Sequence, residues 1–161
     1  MITIRNILVP HDFSETSEAA IQYAVELART FGAKLHVVHV GEQARFEMAT
    51  EFPLGLDLSL EDAVRERMLR IMAAREYREL NPSFQVLAGA PYAEIVRYAK
   101  DRDIDLIVMG THGRGILAHA VMGSVAEKVV RYAPCPVLTV RHPEREFIMP
   151  DATERAASAV V

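Results

Sequence analysis

The chain has 161 residues, half of them hydrophobic, which suffices for one well-buried domain and is short for two. Its net charge of −4 comes from 22 acidic and 18 basic residues interspersed along the chain, so no basic stripe is available for nucleic acid. No apolar run approaches the roughly 18 residues of a membrane span and no basic leader opens the chain, which predicts a cytoplasmic protein with no membrane partner.

Residues 2–9 read as a buried strand ended by Pro10, with His11, Asp12, Phe13 and Ser14 as its exit loop. Ala20, Ile21, Ala24, Val25, Ala28 and Phe31 then recur at helical spacing, with Asp12, Ser14 or Thr16 as N-cap and Gly32 as the stop. Residues 35–40 are β-branched and of strand length, completing a βαβ unit that favours a parallel sheet. The stretch 41–58 has no sustained period and is expected to be a mobile loop. An amphipathic helix follows over 59–80, capped by Ser59 with Asp62 three residues on.

A third strand is predicted over 84–87, a helix with Pro91 in its first turn to about Lys100, and a fourth strand over 104–109. The last helix spans about 125–132 and the fifth strand 136–140; the tail, 143–161, is expected to be flexible. Residues 1–142 thus form one domain: a single five-stranded parallel open sheet with helices on both faces, Rossmann-like. Ligands of such sheets bind outside the carboxyl ends of the strands where the order reverses. The order 3-2-1-4-5 puts the loops after strands one and four side by side there.

The second of these loops carries the chemistry. Gly110 ends a strand, Gly113 follows after two residues, and Gly123-Ser124 opens a helix nine residues later. Glycines at a strand-to-helix junction admit a ligand close to backbone N–H groups, and a helix N-terminus adds unpaired donors and partial positive charge suited to phosphate. The alternative is a tight turn with Ser124 and Glu127 as a capping box. Neither GxxxxGK[ST] nor a first-strand GxGxxG is present. His36 and His39, three apart on a strand, face opposite sides and cannot chelate one metal. Cys135, the single cysteine, has no internal disulfide partner and reads as a small buried hydrophobe.

Together, Val9 to Ser14, Leu35 to Val40, Gly89-Ala90-Pro91, Gly110 through Val125, and Ala133 to Val137 resemble the universal stress protein family over roughly residues 2–141. G-x2-G-x9-G-[S/T] is the pattern of its ATP-binding members. By position, the resemblance implies that Asp12 and Val40 contact adenine and that Pro10 and Met109 line the nucleoside pocket. Gly110, Gly113, Arg114, Gly123, Ser124 and Val125 would hold ribose and phosphates. The chain departs from the pattern at His11, where a small or β-branched residue is common, and at Gly115, where threonine often stands.

The resemblance further implies a homodimer paired through strand 137–140, and magnesium carried by the ATP phosphates. The function expected is a nucleotide-dependent regulatory or stress-response module with an unidentified protein partner. A weak ATPase using the same loop, or a nucleotide-independent chaperone-like dimer, are the alternatives. No catalytic base is assigned by spacing, so hydrolysis would at most be slow.

Overall fold

A computed structural model describes residues 1–41, 57–73, 77, 79–111 and 122–141. Strand β1 (Asn6–Pro10) leads through a short turn into helix α1 (Glu15–Phe31) and strand β2 (Lys34–Gly41). Helix α2 (Asp57–Met72), strand β3 (Ser83–Ala88) and helix α3 (Pro91–Asp101) follow, then strand β4 (Leu106–Gly110), helix α4 (Ser124–Tyr132) and strand β5 (Val137–Val140). The sheet is parallel throughout in the order β3-β2-β1-β4-β5, as expected.

The central strands are apolar runs because both faces are covered. Ile7, Leu8 and Val9 are all fully buried, with successive side chains entering opposite layers. Ile7, Val9, Leu35 and Val37 pack with α1 and Met68 of α2, whereas Leu8, Val38, Ile107 and Met109 pack with Ile95 and Ala99 of α3 and Ala126 and Val129 of α4. Each fully buried Ile, Leu or Val contributes about 2 kcal/mol of burial, so this double layer fixes the strand register. At the amino end of the sheet the Asp105 carboxylate accepts from the Arg5 and Asn6 amides (2.7 and 2.9 Å), joining the starts of β1 and β4.

Helix α1 is terminated as its sequence predicts. Ser14 is the N-cap, accepting from the Ser17 amide, and Gly32 takes the left-handed C-cap conformation (φ 64°). Helix α2 differs from the expected 59–80: it is described over Asp57–Met72, so Ser59 lies inside the helix and is not its cap, and it ends at Met72. Residues 42–56, most of the loop expected at 41–58, and the tail beyond 141 lie outside the described residues. No helix among the described residues is long and apolar enough to cross a membrane.

Candidate functional site

Strand order places the carboxyl ends of β1 and β4 side by side, and two backbone links shape what lies beyond them. The Thr111 amide donates to the Val140 carbonyl (2.8 Å), extending the β4–β5 pairing by one residue. The Gly123 amide donates to the Thr111 carbonyl (2.7 Å). The start of α4 is thereby fastened to the end of β4, which brings Gly123 close to Gly110. Gly113 and Arg114 fall outside the described residues, as do His112 and Gly115.

The capping box offered as the alternative does not form. Gly123 is the N-cap of α4 (φ −70°, ψ 154°) and no side chain caps it, so Ser124 is the first helical residue. The Glu127 carboxylate instead takes the Arg131 guanidinium one turn on (3.2 Å). With the Gly123 amide bonded to Thr111 the cap lies one residue earlier, and among the described residues no side chain caps this helix N-terminus at the sheet's reversal point.

Around this point lie the residues that alternation assigns to one face. Val40 and Met109 pack in the layer of α3 and α4 together with Leu87, Met122 and Val125. Val125 and Val40 are half-buried and Met109 is buried. Pro10, half-exposed, ends β1 between these strands, paired in register with Val38. The described site is an apolar wall from three strands facing one helix terminus. Gly110 has a further constraint that its sequence context hides: a Cβ there would lie 2.9 Å from Thr16 Cβ and 3.0 Å from the Thr16 carbonyl carbon, because α1 passes directly over the end of β4.

Asp12 projects from the β1–α1 turn, half-buried. Its Oδ1 accepts from the Ser14 amide (3.0 Å) and the Ser14 hydroxyl (2.5 Å), an Asx-turn that prepares the start of α1. Burial pushes this carboxyl up, but the bonds from Ser14, with Ser17 and neighbouring His11 contributing, outweigh it and hold Asp12 below its ordinary value. Ser14 donates its one proton to Asp12, so in its 3.0 Å contact with Thr16 it is the acceptor.

The other expectations resolve as follows. His36 and His39 do face opposite sides: His36 Nδ1 lies 3.1 Å from the Tyr98 hydroxyl and 3.1 Å from that of Ser83, whereas His39 Nδ1 reaches the His11 carbonyl. His11 points away from the apolar wall. It is 2 % exposed, with its ring against Phe13 and its Nε2 3.4 Å from Glu18. Burial pushes its pKa down to about 4, with Asp12 opposing and His39 and Arg67 adding to the fall, so at neutral pH it is uncharged. Cys135 is half-buried, with its thiol pushed up by burial, which suits packing and not nucleophilic chemistry. Among the described residues no three His, Cys, Asp or Glu side chains converge as a metal site. A groove of about 390 Å³ lies between β3 and α3, sharing Leu87 with the apolar layer; in it Arg97 is already paired with Glu94.

Sequence reasoning missed Thr16, Thr111 and His39 as parts of this region. Thr111 acts through its backbone and Thr16 through close packing, neither of which leaves a pattern; His39 was weighed only as a metal ligand.

A parallel sheet in the order β3-β2-β1-β4-β5, with helices on both faces and a glycine ending β4 at its reversal, defines an open, doubly wound α/β protein. Within that class the chain belongs to the universal stress protein family, whose model matches residues 3–141. Universal stress protein MJ0531 of Methanocaldococcus jannaschii is 31% identical over 151 residues, covering 88% of this chain and 85% of its own. The solved structure of MJ0577, from the same organism, has a TM-score of 0.76 at 29% identity and covers 89% of this chain and 100% of that one. A universal stress protein solved in complex with cAMP shares the fold at a TM-score of 0.63 and 23% identity, covering 87% of this chain and 98% of its own.

Proposed function

We propose that this universal stress protein binds ATP at the β1/β4 reversal and acts as a nucleotide-dependent regulatory or stress-response module. The observation that carries the reading is the bond from the Gly123 amide to the Thr111 carbonyl, which fastens the start of α4 beside Gly110 at the end of β4. The first-turn amides of α4, which no described side chain caps, suit a phosphate, and the wall of Pro10, Val40 and Met109 suits a purine face. A relative of the same fold holds an adenine nucleotide, cAMP. Gly110, Gly123, Ser124 and Val125, with Gly113 and Arg114 of the intervening loop, are the residues assigned to ribose and phosphates; Asp12 and Val40 are assigned to adenine. Any magnesium would be held chiefly by the phosphates and water.

Two chains would pair through β5, the edge strand of the sheet, where Leu138 is 38% exposed. With one cysteine and no internal disulfide, the chain suits a reducing, cytoplasmic setting. Calorimetry on nucleotide-stripped protein tests the central claim: saturable ATP binding is expected, and the absence of binding by ATP, ADP and AMP alike would overturn it. Phosphate release measured in the same samples separates holding from hydrolysis.

A further inference from the structure

Phe13 adopts a left-handed backbone (φ 66°), a conformation in which a bulky residue persists only when its surroundings enforce it. The enforcing contacts come from two buried histidines. The Phe13 amide donates to His11 Nδ1 (3.2 Å), so the neutral His11 ring carries its proton on Nε2, a buried atom 3.4 Å from Glu18 Oε1 with no hydrogen-bond partner among the described residues. His39 Nδ1 lies 2.8 Å from the His11 carbonyl, and since a carbonyl can only accept, His39 carries a proton on Nδ1 and donates it there. The His11 amide in turn donates to the Val38 carbonyl (2.8 Å). Both backbone polar groups of His11 are therefore tied to β2. The Phe13 ring packs against the His11 and His39 rings, with centroids 5.3 and 4.9 Å away, and the Arg67 guanidinium of α2 lies 4.4 Å from its centroid.

We propose that His39 and His11 form a buried clamp that sets the turn carrying Asp12 and are positioning residues for the nucleotide site. Asp12 lies between the two clamped residues, and its Asx-turn to Ser14 spans Phe13 in the left-handed conformation. Phe13 belongs to the layer of α1 and α2, whereas Val40 and Met109 belong to the opposite layer, so the clamp works from behind the sheet without touching the nucleotide. Its contribution is preorganisation: the turn is built before ligand arrives. The inference rests on the ATP-binding reading for its functional consequence, but its geometry can be tested without ligand.

The experiment has two arms. In the first, long-range proton–nitrogen correlation spectra of the wild-type protein assign the tautomers, with Nδ1–H expected for His39 and Nε2–H for His11; the opposite tautomer at either ring overturns the clamp. In the second, ATP affinity is measured calorimetrically for His39→Asn, whose amide reproduces an Nδ1 donor, and His39→Gln, whose amide cannot reach that position. His39→Gln is expected to weaken ATP binding roughly tenfold, the size of one lost buried hydrogen bond, and His39→Asn to restore it to within about threefold. Equal affinities for wild type and His39→Gln, or equal weakening by both variants, overturns the positioning role. Urea titration confirms that each variant is folded under the assay conditions, and should His39→Gln fail to fold, the tautomers decide. If wild-type protein binds no ATP the functional reading fails, and the clamp stands or falls on the tautomers.

Discussion

His11 makes the stability of this fold depend on pH in a way that can be calculated. Its ordinary pKa of 6.5 falls to about 4 in the folded protein because the ring is buried. Between these values the unfolded chain binds a proton that the folded chain refuses, so stability is fully present above pH 6.5 and is lost as pH falls toward 4. At about 1.4 kcal/mol for each tenfold change, the slope approaches 1.4 kcal/mol per pH unit within the window and the total loss is roughly 3 kcal/mol. Asp12, held low, adds a loss at more acid pH, whereas Glu18, pushed up by burial despite Arg67, acts in the opposite direction. Replacing His11 by Asn isolates the histidine, since both carboxylates remain and the hydrogen bond from the Phe13 amide can be kept. Urea unfolding of both proteins at steps from pH 7 to 4 is the assay. The wild-type curve should fall away from the variant's by roughly 3 kcal/mol across the window, and parallel curves would refute the claim that a buried neutral ring controls the response.

The remaining predictions concern the two turns and the sheet edge. Gly110→Ala should destabilise the protein by about 1–3 kcal/mol in urea, because the added methyl meets Thr16 backbone that cannot move aside independently of α1. Gly123→Val, at φ −70° and ψ 154°, should change stability by less than about 1 kcal/mol yet weaken ATP binding tenfold or more in calorimetry. Ser14→Ala should cost about 1 kcal/mol through the lost N-cap, and carbon-detected titration should show the Asp12 carboxyl rising as its hydroxyl donor disappears. The wild type is expected to give a dimeric mass in light scattering, and Leu138→Lys on the exposed edge strand a monomeric one.

The fold was legible because its signals are local or periodic. Ile7 to Val9 form an unbroken apolar run since both faces of β1 are covered, and the Ser14 and Gly32 caps are set by residues beside them. Where a distant partner decides, the pattern misled. Ser124-x-x-Glu127 has the form of a capping box, but the carbonyl of Thr111 takes the Gly123 amide and Arg131 takes the Glu127 carboxylate. His39 was opaque for the same reason: what it binds is the backbone carbonyl of a residue 28 positions earlier, and backbone partners leave no trace in side-chain spacing. That α2 already includes Asp57 was likewise hidden, because Ser59 reads locally as a cap and helix propensity does not fix where a helix begins.

The two described glycines at the ends of the pattern are there for different physical reasons, and the difference bears on function. Gly110 is demanded by packing: α1 crosses the end of β4 so closely that a side chain would collide with Thr16, and this holds with or without a ligand. Gly123 has a backbone that any L-residue adopts, and as an N-cap it is bettered by Ser, Asp or Asn. A Ser or Asp at that position would fold its oxygen back onto the first-turn amides of α4 and consume donors that a phosphate would otherwise meet. Glycine keeps those donors available at a modest expense in helix stability. A residue suboptimal for folding at the mouth of the reversal point is what a ligand site built from backbone amides requires.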